Sequence, residues 1–580
     1  LNLYEGQRYY IRNIRWIGNT VYSTERLNRV LDFKKGDVYN QRRLDDRLMN
    51  DEDAVSSLYM DNGYLFFHID PIETNIAGDS VDLEMRIFEG KQATIDRIGI
   101  EGNERVYEHV IRRELRTKPG ELFSKSDVIR TVRELAQMGH FDPETIKPDI
   151  KPNPENGTVD INYVLETKGS DQVELSGGYG PTGIIVSGSL KFTNFAIQNL
   201  FKPSTYRIVP QGEGQTLMLR AQTNGSYFQS YSVSFLEPWL GGKRPNSLSV
   251  SAFYSLQTGL SDRYYDEYLY LDPNQNYLPG SALYDKSKHI NILGVSAGLG
   301  RRLSWPDDYF TLYTEVAYQL YDLKNWDYFL MKNGQANNLS LKVNFGRNSI
   351  DNPIYTRSGS QITLGLQITP PYSLFSDKDY SNPDMSQSER WRWIEYHKWK
   401  FKSKMFTPLT SNGNLVLMGR VEYGFLGYFD KNRRSPFETF YVGGDGMSGS
   451  GYTYATEAIA MRGYANGSLT ALHTDPATGA VSQTANYYSR LGLELRYPLT
   501  LSAATTIYAL GFVDAGNSWY DIKDFSPFDL KRSAGFGLRI FLPMLGMLGL
   551  DWGYGFDKVW VGNEYKKSGG QFTFVIGQEF

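Results

Sequence analysis

The chain has 580 residues, no cysteine and six histidines, with 61 Lys+Arg against 65 Asp+Glu for a net charge of −4. That length leads us to expect roughly two to five domains; the charge balance excludes the basic stripe of a nucleic-acid binder, and the lack of cysteine excludes disulfide scaffolds, thiolate zinc sites and thiol catalysis. A mean hydropathy of −0.44, with no run of about 18 apolar residues, excludes a helical membrane protein, yet 14% of residues are aromatic and 56 are glycine, the composition of a transmembrane β-barrel whose polar lumen face dilutes its hydropathy.

Leu1 to Tyr10 carries neither a basic nor an apolar leader region, and a start inside a repeat pattern predicts further sequence upstream. The first 168 residues are a repeat. Ile14-Arg15-Trp16-Ile17-Gly18-Asn19 returns 84 positions later as Ile98-Gly99-Ile100-Glu101-Gly102-Asn103, and Lys35-Gly36-Asp37-Val38-Tyr39 returns as Pro119-Gly120-Glu121-Leu122-Phe123. The offset then falls to 76, pairing Asn62-Gly63-Tyr64-Leu65-Phe66 with Met138-Gly139-His140-Phe141, so the first copy has about eight extra residues around Met49 to Ser57. Each copy reads as a strand up to the Gly-Asn turn, a short helix (Thr24–Leu31, Val106–Arg116), a longer helix (Gln41–Asp61, Ser124–Met138 with Ser124 as N-cap) and two strands. The order β-α-α-β-β over 1–90 and 91–168 resembles the POTRA domain, the periplasmic module in front of certain outer-membrane barrels.

Beyond Lys168 the helical period disappears. About 16 segments of the length a tilted membrane strand needs follow, from Asp171–Gly180 and Ile184–Asn194 to Leu548–Phe556 and Gly570–Phe580. Leu491, Leu493, Leu495, Tyr497 and Leu499 alternate with Gly492, Glu494, Arg496 and Pro498, and Phe572, Phe574, Ile576 and Phe580 alternate with Thr573 and Gly577. Apolar outward and polar inward suits lipid outside and a wet lumen. Long stretches at 257–289, 370–396 and 437–485 alternate with tight turns, the loop asymmetry of such barrels. The prediction is a transmembrane β-barrel of about 16 antiparallel strands over 169–580, preceded by two α+β POTRA domains.

The late motifs are the most specific. Phe440-Tyr441-Val442-Gly443-Gly444 precedes Met461-Arg462-Gly463-Tyr464; Leu493-Glu494-Leu495-Arg496-Tyr497-Pro498, Phe512-Val513-Asp514-Ala515-Gly516-Asn517 and Ser533-Ala534-Gly535-Phe536-Gly537-Leu538-Arg539 follow, and the chain ends on Phe580. In this order, behind POTRA repeats, they resemble the BamA family of outer-membrane β-barrel assembly proteins. Met461, where the family usually has Val or Ile, and the long insertion between Gly444 and Met461 depart from its pattern. The resemblance implies that the loop between strands 11 and 12, about 437–485, folds into the barrel carrying Met461, Arg462, Gly463 and Tyr464, with Glu494 and Asp514 as lumenal partners of Arg462. Strand parity alone turns Glu494 inward and leaves Asp514 open, and a bare Arg-Gly-Tyr would also suit an exposed loop. A buried guanidinium needs such partners.

Gly177, Gly178 and Gly180 in the first strand, with Gly577 and Phe580 in the last, mark the joint where a barrel must close. Glycine weakens a strand, and an opened edge can template an incoming one; the same glycines would also accommodate curvature. The resemblance implies an assembly factor that inserts client barrels through this seam without nucleotide. It implies as partners unfolded client barrels, accessory assembly lipoproteins, and the bilayer with its lipopolysaccharide; long loops add possible extracellular partners, and nucleic acid is not expected.

Gly178-Tyr179-Gly180-Pro181-Thr182-Gly183 matches a dinucleotide fingerprint but no helix follows. Ser448 misses the nucleophile-elbow spacing, and the six histidines lack metal-ligand spacing. No enzyme, cofactor or metal is expected. The alternatives are a two-partner secretion pore of the same superfamily and, more remotely, a porin or barrel enzyme.

Overall fold

The computed structural model describes residues 7–576 except 52, 143–144, 168, 170, 181–182, 226, 261–283, 308, 327–330, 411, 447–456, 475–480, 503–504, 543–545 and 562–563. Two units divide the chain: Leu1–Ser170 with Thr193–Gly214, and Asp171–Phe192 with Gln215–Phe580.

In each repeat the last strand in sequence sits in the middle of a three-stranded sheet. The first repeat runs β1 (Tyr10–Ile17), α1 (Thr24–Leu31), α2 (Gln41–Asp45), α3 (Val55–Met60), β2 (His68–Ala77) and β3 (Ser80–Phe88), with sheet order β1-β3-β2. The second runs β4 (Thr94–Glu101), α4 (Glu108–Arg112), α5 (Lys125–Gln137), β5 (Lys147–Asn153) and β6 (Thr158–Val164), with order β4-β6-β5. In both, the first strand lies parallel to the central one. Ser23 and Ser124 cap α1 and α5, each hydroxyl accepting from a backbone N–H three residues on. The helices bury Leu27, Leu31 and Leu44, or Val110, Val128 and Leu135, against the central strand's Val81, Leu83 and Met85, or Val159, Ile161 and Tyr163.

The repeated Gly-Asn turn has one cause in both copies. Gly18 (φ +89°) and Gly102 (φ +83°) lie in the left-handed region, and a Cβ at either would overlap the carbonyl oxygen of Ile87 or Leu165. The following asparagine closes the turn, Asn19 Nδ2 donating to the Tyr22 carbonyl and Asn103 Nδ2 to that of Val106.

Two helices differ from expectation. Gln41–Asp61 is not continuous: α2 passes into a π-helical turn at Asp46–Asn50, the chain extends at Asp51, and α3 restarts at Val55. The extra residues of the first copy are absorbed here, where Arg47 Nη1 binds both Asp51 (3.1 Å) and Asp53 (2.6 Å) and holds the break. The helix expected over Val106–Arg116 is confined to α4, since Tyr107 is extended and offers no side-chain cap.

The second unit is one antiparallel sheet of 16 strands. In chain order they are β7 (Gln172–Gly180), β8 (Gly183–Phe195), β9 (Gln215–Asn224), β10 (Phe228–Glu237), β11 (Asn246–Leu260), β12 (Tyr284–Arg302), β13 (Phe310–Lys324), β14 (Gly334–Asn348), β15 (Gly359–Ile368), β16 (His397–Pro408) and β17 (Val416–Gly427). Four short strands intervene: β18 (Phe440–Val442), β19 (Glu457–Ile459), β20 (Leu472–Thr474) and β21 (Val481–Gln483). The sheet resumes with β22 (Tyr487–Ser502), β23 (Thr505–Trp519), β24 (Lys531–Leu542), β25 (Gly546–Val561) and β26 (Glu564–Ile576). Each strand pairs with its sequence neighbour, and β17 pairs with β22. The ends of the order, β7 and β26, bring Cα atoms within 8 Å of each other, which makes the sheet a barrel; among the described residues no backbone ladder joins them. On β22, Leu493, Leu495, Tyr497 and Leu499 are exposed outward while Glu494 and Arg496 are buried, the polarity of a wall between lipid and lumen. Among the described residues no helix is long and apolar enough to cross a membrane.

Two outcomes follow for the repeats. Gly102→Ala forces a side chain into φ > 0 against a carbonyl and should cost about 2–3 kcal/mol, read as lost amide-exchange protection over residues 93–168. His140 in the second repeat has its pKa pushed down to about 4, by burial first and by the charge of Arg113 second. The unfolded chain takes up this proton near pH 6.5, so the repeat should lose on the order of 3 kcal/mol as pH falls from about 6.5 to about 4. His140→Gln should flatten that slope in urea unfolding followed against pH.

Candidate functional site

The chain between β17 and β22 turns back onto the inward face of the sheet. β18 pairs in parallel with β19, and Phe437, Phe440, Val442, Ile459, Met461 and Tyr464 are buried in one cluster with Tyr321, Trp391, Tyr396 and Tyr488.

At the end of this segment the Arg462 side chain is 1% exposed. Its Nε donates to Asp514 Oδ2 (2.7 Å) and its Nη2 to Asp514 Oδ1 (2.9 Å), a bidentate pair. Nη2 also lies 2.9 Å from Glu494 Oε1, and the guanidinium stacks 3.7 Å from the Phe512 ring centre. The β22–β23 register sets Gly492 opposite Asp514 and Glu494 opposite Phe512, so Asp514, Phe512 and Glu494 share the inward face. Glu494 is further held by Arg496, whose Nε and Nη2 donate to Oε2 at 3.0 and 2.8 Å. Beyond it Arg539 and Asp551 form a second bidentate pair, both contacts 2.8 Å.

The neighbours of Arg462 explain why the motif is spelled as it is. Gly463 takes φ +81°, and a Cβ there would meet Ser533 Cβ at 2.9 Å and the Gly555 amide nitrogen at 3.1 Å. A Cβ at Gly553 would in turn meet the Gly463 nitrogen at 2.8 Å. The loop backbone therefore lies directly on β25, whose inward positions Gly553 and Gly555 make room while Trp552, Tyr554 and Phe556 point outward. Tyr464 donates its hydroxyl to the Arg532 carbonyl (2.7 Å). Met461 packs beside Gly516 and donates its N–H to the Gly444 carbonyl (3.0 Å).

A second tether was missed at the sequence level. Lys398 on β16 lies 2.9 Å from Glu457 and 3.4 Å from Glu438, both in the loop, and its ammonium is 4.6 Å from the Phe440 ring centre. Lys400 reaches Glu457 at 3.2 Å. Lys398, Lys400, Lys402 and Lys404 recur at every second residue, a period-two charge signal that could have marked this inward face.

The remaining candidate residues do not join the cluster. Gly177, Gly178 and Gly180 lie in β7, laddered with Val186, Ile185 and Gly183 of β8; Gly577, Phe580 and Ser448 lie outside the described residues. Gly178, Gly180 and Gly183 of the dinucleotide-like pattern belong to a strand hairpin.

A 16-stranded antiparallel barrel with polar lumen, preceded by POTRA repeats, defines an outer-membrane β-barrel protein. The sequence model of the Omp85 superfamily domain matches residues 211–580, and that of the POTRA repeat (surface antigen variable number repeat) matches 9–90 and 93–168. The chain belongs to the Omp85 superfamily. It is 24% identical over 573 residues to the outer membrane protein assembly factor BamA of Neisseria meningitidis, an alignment covering 93% of this chain and 60% of that one. Its fold is similar to that of BamA from Haemophilus ducreyi lacking POTRA domains 1–3 (TM-score 0.52, 19% identity, 98% and 99% of the two chains covered). It is also similar to that of CdiB from Escherichia coli (TM-score 0.53, 13% identity, 99% and 90% covered). The chain spans 27–63% of the length of the first curated relatives it matches.

Asp514→Ala leaves Arg462 to share Glu494 with Arg496. The expected cost is about 3–5 kcal/mol, because a buried charge loses its bidentate partner. Hydrogen exchange should show lost protection across 457–470; protection equal to that of the parent protein would mean that the Lys398 tether, Glu494 and apolar packing hold the segment without Asp514.

Proposed function

We propose that this protein folds client β-barrels into the outer membrane through a weak lateral seam between β7 and β26. What carries the reading is the end of the strand order: β7 and β26 approach each other, yet no ladder joins them among the described residues. β7 also carries Gly177, Gly178 and Gly180, and glycine weakens a strand. An edge with free N–H and C=O groups is a template for another strand, so a client's terminal strand pairs with β7 and the growing client leaves sideways into lipid.

No nucleotide is required, because burying a client's apolar face in the bilayer supplies about 25 cal/mol for each Å² removed from water. The arginine cluster holds the inturned segment and turns over no substrate. In this reading the repeats lie in the periplasm, where their sheet edges receive unfolded clients and their surfaces dock accessory lipoproteins, and the bilayer and its lipopolysaccharide surround the barrel. The assembly-factor relatives support the reading by sequence.

The likeness of fold to CdiB keeps a second reading, a secretion pore. Conditional depletion followed by outer-membrane proteomics separates the two. Broad loss of unrelated barrels, with precursors accumulating in the periplasm, is expected. Loss of one large exoprotein with other barrels intact would replace the assembly reading. In a chain without cysteine, a disulfide engineered across β7 and β26 should stop client insertion, and undiminished insertion with the bridge formed would remove the seam from the mechanism.

A further inference from the structure

The segment joining β8 to β9 has an inverted polarity. Two of its asparagines turn toward the second repeat, while five of its large apolar side chains are exposed. Asn199 is 4% exposed and donates through Nδ2 to the Tyr107 hydroxyl at 3.0 Å. Asn194 Nδ2 donates to the Arg105 carbonyl, its Oδ1 accepts from the Gly214 N–H, and the Tyr107 N–H donates to the Gly212 carbonyl. These bonds and two short 3₁₀ turns, Ile197–Asn199 and Pro203–Thr205, brace the segment. On the other side Ile197, Leu200, Phe201, Tyr206 and Ile208 are exposed, Phe201 at 94% and Ile208 at 76%.

We propose that residues 197–208 are a lipid anchor, seated in the interface of the bilayer that the sheet spans and bound to anionic phospholipid. Three observations select lipid as the occupant. Both flanking strands, β8 and β9, belong to the membrane sheet, so each end of the segment starts from a bilayer surface; Phe201 is six residues past Phe195, within about 21 Å of extended chain. Exposed Lys202 and Arg207 interleave with the apolar side chains, and no acidic residue occurs between Phe195 and Gly212, the charge pattern that anionic headgroups attract. Aromatic and aliphatic side chains at a strand end are the composition of the belt that fixes a barrel's depth. The anchor rests on the membrane-spanning sheet and is independent of any client.

The test uses the absence of native cysteine. Single variants Phe201→Cys, Leu493→Cys (outward on β22) and Glu155→Cys (an exposed turn of the second repeat) carry an environment-sensitive fluorophore in vesicles of phosphatidylethanolamine and phosphatidylglycerol. The label at 201 should emit blue-shifted and lose intensity when nitroxide-labelled phospholipid is included, as at 493, while the label at 155 stays water-like and unquenched. Emission at 201 that is water-like, or blue-shifted without nitroxide quenching, overturns the anchor while quenching at 493 preserves the membrane sheet. Absence of quenching at 493 overturns both.

Discussion

Inside a bilayer an unpaired backbone N–H or C=O has no water to turn to, and each such group costs several kcal/mol. A sheet meets that constraint only by pairing every strand on both sides and returning to its own start. The 16-strand order, laddered from β7 round to β26, is that solution everywhere except at the joint of β7 and β26, where the described residues show no ladder. The constraint also sets the alternation on every strand, because a wall one residue thick must offer Leu493, Leu495 and Val513 to lipid and Glu494, Arg496 and Asp514 to the interior.

A wall with charges on its inner face needs something to neutralise them, and the segment between β17 and β22 supplies part of it. Arg462 meets Asp514 and Glu494 at one end, and Glu457 and Glu438 meet Lys398 at the other. Each charge would be costly where it sits if its partner were missing, so the ion pairs specify one seating of the segment more than they add stability. Close approach comes from what is absent: Gly553 and Gly555 have no side chain where Gly463 lies. Charge selects the place, and glycine lets the backbone reach it.

The repeats solve a different problem, the burial of a small sheet against short helices in water. Each does so with one parallel and one antiparallel pairing around the last strand, and in each the Gly-Asn turn clears a carbonyl at the end of that strand. The first copy tolerates its extra residues because Arg47 clamps them where the helix is already interrupted.

Much of this was legible in the sequence. Period-two alternation survives in any register, so the strand-rich barrel could be read directly, and an 84-residue self-similarity exposed the two repeats. Resemblance proposed partners for Arg462, and parity alone placed Glu494. Asp514 stayed open because its inward-facing strand neighbours Tyr508, Leu510 and Phe512 are as apolar as the outward Val513, so residue type does not tell the two faces of β23 apart. The interruption of Gln41–Asp61, the Lys398–Glu457 tether and the grouping of Thr193–Gly214 with the repeats were likewise decided only in three dimensions. Periodicity is a property of neighbours along the chain, so the sequence alone determined which residues of a strand share a face. Which charges meet, and where a backbone needs glycine to pass, depends on residues dozens of positions apart, so only the tertiary structure decided it.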